Sequence, residues 1–189
     1  MKKRIIVGIS GASGVIYGLM FLEALKKINA VEIHLIISPT AERIFMDEID
    51  ADAFERAKSM ADYYHDINNL AAPIASGSFL TEGMIIAPCS AKTLASIAHG
   101  YGDNLMLRAA DVVIKERRKL IVLFRETPLH LGHIENMALL TKMGGILLPP
   151  IPAFYHKPQS IIDIIQHTVG KTLDLLNFPH ELYRRWEGK

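Results

Sequence analysis

One cysteine, one tryptophan and almost no surplus of charge set the first limits on this chain of 189 residues. Cys89 has no partner, so an intrachain disulfide and a cysteine-rich metal site are both excluded, and a reducing, cytoplasmic setting suits the sequence. Lysine and arginine number 21 against 20 acidic residues, a net charge of +1, which offers no broad attraction to nucleic acid or an anionic membrane surface. Also missing are the G-x-G-x-x-G loop, the Walker sequence with its Gly-Lys-Ser/Thr, and H-E-x-x-H. No repeat, linker or low-complexity tract interrupts the chain, so residues 1–189 read as a single domain. One uncharged stretch, between Arg4 and Glu23, raises the question of a membrane span. Its glycines at 8, 11, 14 and 18 and serines at 10 and 13 make a poor spanning helix, and no small-residue cleavage site follows the basic Met1-Lys2-Lys3-Arg4. Neither an anchor nor a targeting peptide is expected.

What is present is hydrophobic: half of the residues, high for a soluble chain. That points to a filled parallel-sheet core and to apolar interfaces between copies of a homo-oligomer. Largely apolar runs predict strands at Arg4–Ile9, Val31–Ile37, Met84–Ala87, Leu120–Phe124 and Ile146–Leu148. Between them, apolar residues at helical spacing predict helices at 15–28, 40–47, 53–65, 91–99, 105–117 and 131–143, the last ended by Gly144-Gly145. A final helix is expected from Pro158 to about Leu176. The alternation is that of a doubly wound parallel α/β sheet flanked by helices, a Rossmann-like or flavodoxin-like three-layer sandwich.

In such sheets ligands bind beyond the carboxyl ends of the strands. Gly11-Ala12-Ser13-Gly14 ends the first strand. It either presents backbone N–H groups and a helix N-terminus to an anion or is only a tight turn of small residues. Pro88-Cys89-Ser90-Ala91-Lys92-Thr93 ends another strand, with hydroxyls at Ser90 and Thr93. Ser90 also suits a helix N-cap, and Cys89 reads as a small buried residue rather than a nucleophile. Arg125-Glu126 is either a surface pair or a cation placed for an anionic ligand, with Ser38 at the end of the second strand. His130-x-x-His133-x-Glu135 fits capping or solvation better than a metal, and Lys115 to Lys119 fits a charged helix end. Lys171 snorkels to water by default or reaches an interface, and Tyr155 is a packed aromatic or a ligand wall.

Taken in order, these motifs resemble the UbiX-type flavin prenyltransferase family over essentially the whole chain. They are V-G-I-S-G-A-S-G, S-G-S, P-C-S-A-K-T, R-A-A-D-V-V-I-K-E-R-R, R-E-T-P-L-H-L-G-H, P-A-F-Y-H-K-P-Q-S and R-R-W. The P-x-M-N-x-x-M-W signature of the related flavin-containing cysteine decarboxylases is absent. The resemblance implies reduced FMN as the substrate flavin, dimethylallyl phosphate as the five-carbon donor and no metal. Its product, prenylated FMN, would serve a UbiD-type decarboxylase, as in ubiquinone biosynthesis. It also implies a homo-oligomer, commonly a dodecamer, with sites at subunit boundaries. By motif, FMN would be held by Gly11, Ala12, Ser13, Ser38, Ser90, Ala91, Lys92, Thr93 and Arg125. The prenyl phosphate would be held by Tyr155, Lys171, Lys115 and Arg125, while Glu48, Glu126 and Ser13 would be catalytic. Lys171 stands where many relatives have arginine, which keeps the charge but not a bidentate grip.

Overall fold

The apolar runs of the sequence pair into one six-stranded sheet in the computed structural model, which describes residues 2–28 and 30–188. Its strands are β1 (Lys3–Ile9), β2 (Val31–Ile37), β3 (Tyr63–His65), β4 (Gly83–Cys89), β5 (Lys119–Phe124) and β6 (Ile146–Leu147). All five pairings are parallel, in the order β3-β2-β1-β4-β5-β6. The helices are α1 (Val15–Lys26), α2 (Pro39–Glu48), α3 (Ala53–Met60), α4 (Ala91–Ala98), α5 (Leu105–Lys115), α6 (Leu131–Lys142) and α7 (Ile161–Leu175). Alternate strand residues point to opposite faces and build two cores. Ile5, Val7, Ile9 and Leu35 meet α1 and α7 through Leu19, Leu22, Val169 and Leu173. Ile6, Ile86 and Val122 meet α4, α5 and α6 through Leu94, Met106 and Leu140. This is the doubly wound three-layer sandwich that the periodicity implies. Among the described residues no helix is long and apolar enough to cross a membrane.

The uncharged stretch becomes β1, a turn and α1. Gly14 has a φ of +97°, a left-handed conformation open to glycine, and it starts α1. At Gly18 a Cβ atom would lie 2.6 Å from the Ala87 carbonyl oxygen and 2.6 Å from Ile9 Cδ1, so the helix can settle on β1 and β4 only without a side chain there.

Two elements differ from the sequence reading. The helix expected over 53–65 stops at Met60, and Tyr63–His65 instead joins the sheet edge beside β2. Aromatic residues suit a pleated surface, and the pairing brings His65 Nε2 to 2.9 Å from His34 Nδ1. The last helix starts three residues after Pro158, because Ser160 and Asp163 form a capping box. Ser160 Oγ accepts from Asp163 N at 3.2 Å, and Asp163 Oδ2 accepts from Ser160 N at 3.0 Å.

Candidate active site

The chain leaves β1 toward β2 on one side and returns to β4 on the other, so a crevice opens above the adjoining ends of β1 and β4. Backbone and serine bonds tie that rim together. Ser10 N and Ser10 Oγ both donate to the Pro88 carbonyl, at 3.1 and 3.0 Å, and Ser90 N donates to Ser10 Oγ at 2.8 Å. Ser38 N donates to the Ile9 carbonyl at 3.0 Å, and Arg125 N to the Cys89 carbonyl at 3.1 Å. Four strand ends are thereby held in register around a cleft of about 580 Å³, within the range of small-molecule sites.

Three helices point their N-termini into this cleft. Their caps are Ser38, Ser90 and Asn104, which accept from Ala41 N at 3.2 Å, Thr93 N at 3.3 Å and Leu107 N at 3.1 Å respectively. Ser38 and Ser90 therefore cap helices and line the cleft at once; the two roles are not alternatives. The aligned dipoles and remaining free amides favour an anion between them. Ser90 Oγ also donates to Thr93 Oγ1 at 3.0 Å, which fixes both hydroxyls on the wall.

The turn after β1 behaves differently. Gly14 N donates to Glu48 Oε2 at 2.8 Å and Val15 N to the same oxygen at 3.3 Å. The first turn of α1 contains no acidic residue, so the carboxylate from the end of α2 complements the positive end of its dipole. The turn is thus both tight and anion-binding, with the protein's own Glu48 as the anion. Ser13 is exposed beside it.

At the end of β5, Arg125 and Glu126 do not form a pair. Glu126 Oε1 accepts from Thr127 N at 3.0 Å and the residue lines the cleft. Half-buried Arg125 has no carboxylate partner among the described residues. Cys89 is fully buried and burial pushes its thiol far up, so it is not a nucleophile. His133 Nδ1 accepts from His130 N at 3.4 Å, and the two rings stack 3.6 Å apart at the start of α6, a capping use.

Three expected residues lie apart from this cleft in a single chain. Lys115 pairs with Glu116 at the C-terminal end of α5, an 11-residue helix, so it sits roughly 16 Å from the cleft end at about 1.5 Å per residue. Tyr155 and Lys171 belong to a second cluster. At 3.6 residues per turn, His167, Lys171 and Asp174 share the face of α7 turned away from the core residues Ile165, Val169 and Leu173. The tail after α7 folds back onto that face. Asp174 accepts from Tyr183 Oη at 2.5 Å and Arg185 NH2 at 2.7 Å, and lies 3.0 Å from His180 Nε2. Burial alone would push the Asp174 carboxyl up, but the three bonds outweigh it and hold the group far below its usual range. Burial and the Asp174 contact push Tyr183 up to about 12. A hollow of about 210 Å³ remains between Tyr155–Lys157 and the tail residues Arg184–Gly188.

Residues 1–172 match the Flavoprotein family. The chain is 50% identical over 188 residues to the flavin prenyltransferase UbiX of Escherichia coli (strain K12), covering 98% of this chain and 99% of that protein. The chain belongs to the UbiX-type flavin prenyltransferase family. A UbiX crystallised in complex with FMN and dimethylallyl pyrophosphate superposes with a TM-score of 0.95 at 43% identity, covering 100% of both chains. A dodecameric FMN-dependent UbiX-like decarboxylase from Escherichia coli O157:H7 does so at 0.93 and 45%, covering 98% of this chain and 100% of that one.

In this family member the sequence motifs Gly11, Ser38, Ser90–Thr93 and Glu126 converge on one cleft, with Ala12, Ser13, Glu48 and Arg125 beside them along the chain or by contact. Two residues were missed. Ser10 is 1% exposed and stitches β1 to β4; a serine directly after an apolar strand was its signal. Asn104 was legible as an N-cap before Leu105-Met106-Leu107.

Proposed function

We infer that this chain joins a dimethylallyl unit from dimethylallyl phosphate to N5 and C6 of reduced FMN, giving prenylated FMN. The observation that carries this reading is the convergence of three helix N-termini and a flavin prenyltransferase's motif residues on the β1/β4 switch point. The cleft suits a phosphate-bearing flavin. It has capped helix ends for the phosphate, hydroxyls at Ser90 and Thr93, and at Gly11 a wall where a Cβ would lie 2.6 Å from Thr40 Cβ. Bound reduced FMN supplies the electron-rich N5 and C6.

The chain's own residues do the rest. Gly11, Ala12 and Ser13, with Ser38, Ser90, Ala91, Lys92 and Thr93, hold the flavin, while Glu48 anchors the turn that carries Ser13. Arg125, Lys115 and Lys171 complement the charge of the leaving phosphate, which needs no metal. The Tyr155 face favours allylic cation character, and Glu126, which lines the cleft, is the group that would take the C6 proton.

Tyr155, Lys171 and Lys115 lie off the cleft of their own chain, so the reading requires copies to assemble and complete one another's sites. The dodecameric E. coli neighbour supports a homo-oligomer. The product would pass, in the cytoplasm, to a UbiD-type decarboxylase, with ubiquinone biosynthesis as its setting. A direct FMN-dependent decarboxylase is the second reading, favoured by that same neighbour, an FMN-dependent UbiX-like decarboxylase. The absent P-x-M-N-x-x-M-W signature weighs against it.

Anaerobic incubation with reduced FMN and dimethylallyl phosphate is expected to give a flavin heavier by one C5H8 unit. Bound flavin of unchanged mass would overturn the reading, and carbon dioxide release by the protein alone would establish the second. Arg125→Ala is expected to lower kcat/KM about 10–100-fold, the scale of a hydrogen bond to a charged phosphate. Arg185 is engaged by Asp174, so the neutral comparison is Arg43→Ala, whose side chain is 86% exposed. Equal effects of the two substitutions would remove Arg125 from the site.

A further inference from the structure

The Tyr155 hydroxyl lies 2.8 Å from His167 Nε2, one helical turn from Lys171 on the outer face of α7. His167 is only 8% exposed. The His156 ring lies flat on it with centroids 4.7 Å apart, Tyr183 lies tilted against it at 4.6 Å, and Tyr155 meets it edge-on at 5.4 Å. Both nitrogens of His156 are buried without a partner among the described residues, and the ring holds His167 by stacking. A ring clamped this firmly fixes the position of the phenol oxygen. It also controls where the phenol proton points.

Neutral imidazole has one donor nitrogen and one acceptor nitrogen. With Nε2 as acceptor, the Tyr155 O–H is directed at His167 and the phenol offers only lone pairs outward, which repel phosphate oxygens. With Nε2–H as donor to the phenol oxygen, the O–H is free to donate outward beside the Lys171 ammonium. The titratable and charged groups around the ring are Tyr155 and His156 of the loop, Lys171 and Asp174 of α7, and Tyr183 of the tail. Arg185 and His180 are held on Asp174. Burial, then His156 and Lys171, disfavour the charged ring, and Asp174 favours it; the net direction is down, toward neutral imidazole.

We propose that His167 is a positioning residue for the Tyr155 hydroxyl, donating Nε2–H to the phenol oxygen so that the O–H points outward as a donor to a phosphate monoester. This rests on the reading that Tyr155 serves a prenyl-phosphate site. Nothing in the sequence motifs singles out His167. The assignment comes from one hydrogen bond and the three rings that hold it.

The test compares His167→Phe, His167→Gln, Tyr155→Phe and the double variant His167→Phe/Tyr155→Phe in the assembled protein with saturating FMN. Phenylalanine keeps the stack and removes the bond, whereas the glutamine amide reaches the place of Nε2 and can donate. His167→Phe is expected to raise KM for dimethylallyl phosphate about tenfold, with kcat within about twofold and FMN affinity unchanged. His167→Gln is expected to recover most of the loss, and the double variant to be no worse than Tyr155→Phe. Unchanged KM in His167→Phe, additive losses, or glutamine no better than phenylalanine would each overturn the assignment. If His167→Phe loses FMN binding, its fold has suffered and the comparison of His167→Gln with Tyr155→Phe decides: a KM near the native value supports the assignment, and one as poor as Tyr155→Phe overturns it. Dissociation constants of the same variants are measured by direct titration of dimethylallyl phosphate, with inorganic phosphate as a second probe. Native protein that binds dimethylallyl phosphate without transfer would overturn the proposed function, while the binding constants of the variants still decide on His167. Native protein that binds none would overturn both.

Discussion

Glu126→Gln is expected to lower kcat about 10²–10⁴-fold, the usual contribution of a positioned acid or base, while FMN affinity changes little. The substitution is informative because of what it preserves. Glu126 Oε1 accepts from Thr127 N at 3.0 Å, and a glutamine carbonyl oxygen can accept the same bond, so the loop after β5 keeps its shape. Glutamine also fills the same part of the cleft wall. What disappears is the charge and the capacity to take a proton. Anaerobic single-turnover formation of prenylated FMN, followed by mass, separates this from a binding defect. A near-native rate would mean that the released phosphate, and not Glu126, removes the C6 proton.

Ser10→Ala is expected to destabilise the chain by about 1–3 kcal/mol and to weaken FMN binding with it. The loss is not symmetrical between the two partners of the hydroxyl. The Pro88 carbonyl keeps the bond from Ser10 N at 3.1 Å. The Ser90 amide loses the acceptor it holds at 2.8 Å, at a residue only 1% exposed, where water does not readily replace it. Thermal unfolding should fall by about 2–4 °C for each kcal/mol in a chain of this size. The control is Ser59→Ala, which removes one exposed bond to the Arg56 carbonyl and is expected to stay within about 0.5 kcal/mol. FMN affinity reports the site directly, since Ser10 joins the two strand ends beneath the cleft. Native-like stability and affinity in Ser10→Ala would show that the rim holds without the stitch.

The elements differed in how clearly the sequence announced them. β1, β4 and β5 are dominated by continuous apolar runs and β2 is apolar but for Glu32 and His34, the pattern of buried parallel strands. β3 has three residues, none of them buried, and carries no such run; only its pairing with β2 makes it a strand. Ser160-Ile161-Ile162-Asp163 contains a legible capping box, but Pro158 drew the helix start forward. The single cysteine, the balanced charge and the glycine-broken stretch argued, from residues alone, against an intrachain disulfide, broad nucleic-acid attraction and a spanning helix between Arg4 and Glu23.

The layered α/β plan and the strand-end motifs were legible in the residues, because periodicity and the carboxyl-end rule are both local in the chain. Tertiary structure alone decided which groups meet. It put Glu48 on the amides of α1, from 34 residues away, and Ser10 under Ser90, from 80. It also left Arg125 without a carboxylate among the described residues and moved Tyr155, Lys171 and Lys115 off the cleft of their own chain. The physical reason is the same in each case. A hydrogen bond or an ion pair is settled by distance and direction in space, and these depend on strand order and helix orientation, which no spacing of residues records.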